Sequence, residues 1–331
     1  MDVSKLELPV PHHRTFNKVD ASKLKEFITC PRKYFYRNVL GWDRESLNIH
    51  LEFGSAWHEA MEHLKIYGYE EDSVNGAFAK FLKYYRKAFD EVTDRDNAPK
   101  NPGYAEIALK EYAAIMRRRP KRELIATEIG CTVPISGRHS ISGRLDAIER
   151  DKILGIVGSD YKTGSRFTTV WYDQWKLSIQ MQIYNHMLKT AFLDEKVYGM
   201  IVVGTILYKT KQRDLTTHHR HVDVPVRLSD KMMNAWLFDI NHWFDMLEWN
   251  FKQLSLSTPD EPVMQAFPKN TESCTKYNKM CQFHDLCTAW PNPLKKSETP
   301  PGGFSVSFWD HEAEPVKFEL TEGNLKQVKE K

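Results

Sequence analysis

The chain has 331 residues, 41% of them hydrophobic and 12% aromatic, enough to bury a large core as one elaborated domain or two small ones. A net charge of +3 is too mild to mark a nucleic-acid binder by itself, and the sequence holds no apolar run that reads as a signal peptide or membrane span. Those features argue against a membrane protein and point to an intracellular, cytoplasmic one, where disulfides are disfavoured and five cysteines suggest metal binding instead.

Residues 1–19, with Pro9, Pro11 and little periodicity, read as a loose leader. Helical periodicity follows at about 20–40, 53–67, 72–92 and 103–119. Asp20 caps an amphipathic helix that ends at Cys30-Pro31. In the second, Trp57, Met61 and Leu64 form an apolar stripe with His58 at its edge, where a packed core histidine is the plainer reading. The third breaks at Asp94–Pro99. The fourth ends in Arg117–Arg122, five cations in six positions, which suits a solvated helix end or a phosphate contact equally.

Strands are expected at about 123–135, 139–149 and 153–162, followed by a helix over 171–190. An apolar strand at 197–208 and another at 217–226 come next, then a long helix over 229–254 whose Trp236, Phe244 and Phe251 have core spacing. His218 to His221 alternate sides of their strand and lack a carboxylate pair, so they read as structural or solvated. From Asn292 the chain reads as a linker, a short hairpin near Phe304 to Phe318, and a polar tail. There is no internal repeat, Walker loop or dinucleotide fingerprint, so ATP-driven unwinding is not expected.

The chemistry concentrates in Gly143-Arg-Leu-Asp146 and Asp160-Tyr-Lys162, on what read as two strands of a hairpin. Residues two apart on a strand share a face, so Asp160 and Lys162 point the same way, and Asp146 can meet Asp160 across the pair. Two carboxylates suit a hard divalent cation such as Mg²⁺ or Mn²⁺, which keeps waters and contacts phosphate oxygens, while a lysine can orient a water or neutralise charge on phosphorus. Taken alone, the triplet could equally be an exposed ion pair worth about 0–1 kcal/mol. Gln180 and Tyr184, four apart on the next helix, present a polar face toward the strand ends.

The ordered set His58, Gly143–Asp146, Asp160–Lys162 and Gln180–Tyr184 resembles the RecB-type branch of the PD-(D/E)XK nuclease superfamily, over about Ser22 to Cys287. That branch includes the CRISPR-adaptation nucleases, AddB-type helicase-nuclease subunits and phage exonucleases. The resemblance implies that His58, Asp146, Asp160 and the Tyr161 carbonyl bind the metal, and that Lys162 assists the attacking water. Gln180 and Tyr184 would support the site and touch nucleic acid, with Glu128 on the first core strand as a supporting carboxylate.

Cys30, Cys274, Cys281 and Cys287 resemble the iron-sulfur staple of the same branch, although the interval of six residues after Cys274 replaces its usual two. Four thiolates suit a [4Fe-4S] cluster and equally tetrahedral Zn²⁺, and a local site of Cys274, Cys281, His284 and Cys287 is a further alternative. Cys131 lies in an apolar strand as a free core thiol.

The expected fold class is therefore α/β: a restriction-endonuclease-like core sheet with an N-terminal helical elaboration and a C-terminal cysteine-rich staple. Its expected divisions are the leader at 1–19, helices at 20–120, nuclease core at 121–254, staple at 255–290 and tail at 291–331. The resemblance implies a metal-dependent DNA nuclease, an exonuclease acting on ends or single strands in recombination, repair or phage DNA metabolism, with helicase or recombination proteins as partners. A phage-encoded origin in a bacterial host fits the same resemblance. The alternative is a non-catalytic nucleic-acid-binding or scaffold subunit that retains the fold.

Overall fold

The computed structural model describes residues 2–44, 47–208, 219–276, 279–310, 318–321 and 324–327. The helices are Ala21–Thr29 (α1), Pro31–Tyr34 (α2), Ile49–Tyr67 (α3), Glu71–Tyr85 (α4), Pro102–Arg117 (α5), Thr169–Asp173 (α6), Ile179–Ala191 (α7), Asp230–Leu256 (α8) and His284–Ala289 (α9). The strands are Trp42–Asp43 (β1), Glu123–Pro134 (β2), Ser140–Asp151 (β3), Gly155–Gly164 (β4), Val197–Leu207 (β5), His219–Val226 (β6), Thr275–Lys276 (β7), Lys279–Met280 (β8), Ser305–Val306 (β9), Phe318–Thr321 (β10) and Asn324–Gln327 (β11). The chain forms two compact units, one of residues 47–131, 144–229 and 316–331, the other of 1–46, 132–143 and 230–315.

The first unit is built on a mixed sheet in which β2, β3, β4, β5 and β6 lie side by side in that order, extended beyond β2 by β10 and β11. β3 and β4 pair antiparallel, β4 and β5 parallel, and β5 and β6 antiparallel. A parallel pair needs a crossover, and α7 supplies it. β5 is correspondingly buried along almost its whole length. At the β3–β4 turn, Gly155 has φ +87 and a Cβ there would lie 2.0 Å from the Lys196 carbonyl oxygen, so only glycine fits.

Alternate residues of β4 and β5 serve two different layers. Val157, Tyr161, Ile201, Val203 and Leu207 join the core formed by α3, α4 and α5. α3 contributes Phe53, Ala56, Trp57, Ala60, Met61 and Leu64, all nearly inaccessible, a stripe at helical spacing. Asn48 caps its start and Gly68, at φ +93, ends it. The opposite face of β4 carries Gly158, Asp160 and Lys162, and a Cβ at Gly158 would meet Leu188 of α7 and Met200 of β5.

The helix expected over 171–190 is two helices. Thr168 caps the short α6, accepting from the Trp171 N–H, and the chain turns through Gln174–Ser178 before α7 begins at Ile179. Trp175 therefore lies in the turn between them, outside α7. Of the strand expected at 217–226, residues 219–226 are present and the rest lies outside the described residues, as does 311–317 of the expected tail hairpin. Ser305–Val306 pair instead with Trp42–Asp43, and the described tail hairpin is β10–β11.

In the second unit, Asp20 caps α1 by accepting from the Lys23 N–H at 2.8 Å. Helical backbone continues past Cys30-Pro31 as α2 and a five-residue π turn to Val39. Phe27, Tyr34 and Phe251 surround Phe267, with ring centroids 6.4, 6.0 and 5.4 Å from it. The Arg32 Nε donates to the Phe267 carbonyl at 2.9 Å, and the Asn270 amide donates to the Thr29 carbonyl at 2.9 Å, which ties the start of the chain to the segment before Cys274.

Candidate functional site

The β3–β4 ladder ends at the pair Ala147–Ser159, one step short of Asp146 and Asp160. Beyond it the Tyr161 N–H, freed from the ladder, donates to Asp146 Oδ2 at 2.7 Å. Asp146 and Asp160 are 8% and 1% exposed, so both carboxylates are held inside the protein. The Lys162 ammonium lies 2.8 Å from Asp160 Oδ2 and 3.0 Å from Oδ1.

α3 brings His58 to the same place from the helical layer. Its Nδ1 lies 3.3 Å from Asp146 Oδ1 and its Nε2 lies 2.8 Å from the Tyr161 carbonyl oxygen. A carbonyl and a carboxylate only accept, so each ring nitrogen faces an acceptor, an arrangement that favours the protonated ring. Burial would lower the His58 pKa, but the Asp146 charge and hydrogen bond outweigh it and the net shift is upward.

Glu128 completes the cluster. One ligand atom each from His58, Glu128 and Asp146 lie within 4.8 Å of one another. Glu128 sits within β2 at φ +50, a left-handed conformation rare for a residue with a side chain and costing on the order of 1–3 kcal/mol. Its carboxylate is steadied by Arg144 Nε at 3.0 Å. Burial, with Asp146 adding to it, pushes the Glu128 pKa up to about 7.

The remaining charges are matched in the same way. Burial would raise Asp146, yet His58, Lys162 and the Tyr161 N–H bring it below the usual carboxylate range. Asp160 goes the other way, raised by burial and by Asp146 against the pull of Lys162 and His58. Lys162 is raised because Asp160 and Asp146 outweigh its burial. The residues present fit a divalent cation: hard oxygen donors and one imidazole converge within 4.8 Å of one another. Asp160 is not among the three closest groups; its charge is taken up by Lys162.

Gln180 and Tyr184 face each other on α7, with Gln180 Nε2 donating to the Tyr184 hydroxyl at 2.9 Å. Tyr184 is only 5% exposed and Gln180 is half-buried.

Cys30, Cys274, Cys281 and Cys287 line one small cavity, together with Lys33, Phe283 and His284. The Asn270 N–H donates to Cys30 Sγ at 3.4 Å. Burial pushes the Cys287 thiol up to about 11 and raises Cys281 as well. Among the described residues, no three of these sulfurs lie within 4.8 Å of one another.

A second cluster, His139, Asp245 and Glu248, escaped the sequence reading. Its carboxylates already meet Arg138 at 2.8 Å and Lys252 at 3.1 Å. His221, by contrast, is structural as expected: its nitrogens bond Thr205 and the Ala108 carbonyl, and burial pushes its pKa down to about 4.

Residues 19–288 match the PD-(D/E)XK nuclease superfamily. The chain belongs to that superfamily. Among solved structures it is similar to one titled "Crystal structure of SSO0001", with 16% identity over 71% of this chain and 79% of that chain and a TM-score of 0.31, a likeness too remote to inform the chemistry. None of the curated proteins matches it. Membership of this nuclease superfamily, with a mixed α/β core, suggests a metal-dependent nuclease, and the clustered acidic groups agree with the divalent metal that such nucleases use. None of its described helices is long and apolar enough to cross a membrane.

Proposed function

We propose that the chain is a Mg²⁺- or Mn²⁺-dependent deoxyribonuclease of the RecB-type branch, an exonuclease acting on DNA ends or single strands. The observation that carries this reading is the convergence of His58, Glu128 and Asp146 at the point where β3 and β4 part, beside the buried Asp160–Lys162 pair. His58, Asp146, Asp160 and the Tyr161 carbonyl would hold the ion, with Glu128 supporting it. When bound, the ion supplies an acidified water and offsets charge developing on phosphorus. Lys162 orients that water and faces the phosphoryl oxygens, and Asp160 keeps the ammonium protonated and in place. His58 would bind the ion through a neutral ring nitrogen. Gln180 and Tyr184, locked together on α7, position the strand without binding the ion.

In the same reading the four cysteines hold a [4Fe-4S] cluster that joins the N-terminal helices to residues 255–290. Four thiolates lining one cavity suit that cluster, with tetrahedral zinc as the alternative. The divisions at 20–120, 121–254 and 255–290 follow these roles. Work inside the cell on recombination, repair or phage DNA, beside a helicase or recombination protein, is the matching context. End-labelled single- and double-stranded DNA incubated with Mg²⁺, Mn²⁺ or EDTA tests the proposal: metal-dependent shortening from an end supports it, and no cleavage with either ion overturns it.

A further inference from the structure

The segment between β4 and α7 contributes nothing to the metal cluster, yet it carries four aromatic residues within nine positions: Phe167, Trp171, Tyr172 and Trp175. All four are half-buried. Their rings form one patch, with Phe167 and Trp171 centroids 6.0 Å apart and Trp171 and Trp175 centroids 5.6 Å apart. Val170 and Leu177 beside them are 74% and 71% exposed. A contiguous apolar surface of this kind costs solubility and marks a contact site more often than an idle surface.

The sheet is shaped to receive it. A Cβ at Gly204 would lie 2.2 Å from the Trp171 ring, and one at Gly164 would lie 3.0 Å from its Nε1, so the indole rests on a floor of two glycines. Gly164 is two residues beyond Lys162 on the same face of β4, and Gly204 is the partner of Lys162 on β5. The aromatic patch therefore lies over the sheet positions next to Lys162.

Its charges are suited to a polyanion. The Arg220 guanidinium lies 3.9 Å above the Phe167 ring, and Lys176 lies 5.7 Å from the Tyr172 centroid. Lys176 pairs with Asp173 at 2.5 Å and the two cancel, so the net positive charge beside the rings comes from Arg220 and the exposed Arg166. A half-buried patch of rings beside cations and next to Lys162 on the sheet matches the way single strands are gripped, bases on rings and phosphates on cations.

We propose that this ledge stacks the unpaired bases of a DNA strand whose phosphate lies at Lys162, so that the protein takes single strands and unpaired ends in preference to closed duplex. The proposal rests on the nuclease reading for its choice of substrate, but stacking can be measured without cleavage. Within a duplex the base faces are already covered by their neighbours, and the rings have nothing to stack on.

Fluorescence anisotropy of labelled oligo(dT) in EDTA provides the test, with a duplex capped by hairpins at both ends as the control. Phe167→Ala and Tyr172→Ala should each weaken oligo(dT) binding by roughly 5- to 100-fold, the scale of one lost base stack, with the salt dependence unchanged. Tyr172→Phe, which keeps the ring, should bind within about 2-fold of wild type. Circular dichroism of each variant confirms the fold. Wild-type affinity in both alanine variants, equal losses on the capped duplex, or no oligo(dT) binding by the wild type would overturn the proposal. Wild-type protein that binds as described yet cleaves nothing with Mn²⁺ would defeat the nuclease reading alone and leave the ledge standing.

Discussion

Replacing Lys65 by methionine should destabilise the protein by about 3–5 kcal/mol, the range found when one half of a buried ion pair is removed. Lys65 on α3 and Glu149 on β3 meet at 2.6 Å, with side chains 6% and 7% exposed. The other partners of Glu149 are weak, Arg122 at 3.9 Å and the Ser159 hydroxyl at 3.4 Å. Burial pushes the Lys65 pKa down despite Glu149, so this pair is held together against a large desolvation cost. Removing the ammonium strands a carboxylate inside the protein. Replacing both partners, Lys65→Met with Glu149→Leu, should restore most of the loss, because neither charge then remains buried. Urea unfolding of wild type, both single variants and the double variant, with unchanged slopes, measures the coupling. A Lys65→Met cost below about 1 kcal/mol, the worth of an exposed pair, would refute the reasoning. So would a double variant no more stable than either single one.

Lys100 is 3% exposed, its ammonium lies 4.7 Å from the Phe53 ring centroid, and burial pushes its pKa down to about 7 from 10.5. Between those pH values the unfolded chain binds a proton that the folded chain lacks, so this residue makes stability rise with pH across that window. Lys100→Met should show a flatter rise in unfolding free energy over the same range; an unchanged slope would refute it. Anaerobically purified protein should be brown, with absorbance near about 400 nm, and Cys30→Ser should bleach it and lower the melting temperature. A colourless preparation with one zinc per chain would reject the cluster, and retained colour in Cys30→Ser would show that another ligand completes it. Gln180→Ala and Tyr184→Phe should leave metal affinity within a few-fold by calorimetry while reducing single-turnover cleavage or DNA affinity by roughly 10- to 100-fold. Collapse of metal affinity with unchanged DNA binding would place that helix among the metal ligands instead.

Period-2 alternation located β3 and β4, and with them Asp146, Asp160 and Lys162, because one buried sheet face imposes that pattern on the sequence. The start of α7 was misplaced since the rings of α6 and the following turn happen to continue its apolar spacing, while the Thr168 cap and the turn before Ile179 depend on local backbone geometry. No periodicity encodes the left-handed φ of Glu128, nor its place within 4.8 Å of His58 and Asp146. His139 and Asp245 lie 106 residues apart and meet only in the folded unit, so nothing local announced them. The convergence of Cys30 with the three later cysteines was legible through family resemblance alone, since its amide partner Asn270 is 240 residues away.

The most direct test of the metal-site reading is single-turnover cleavage of end-labelled DNA with Mn²⁺ by Asp160→Ala and Lys162→Ala, alongside DNA binding in EDTA and circular dichroism. Loss of a metal ligand or of the cation beside the water acts on the transition state, so cleavage should fall by at least about 100-fold while fold and DNA binding persist. Near-wild-type cleavage by both variants would contradict the assignment of the site.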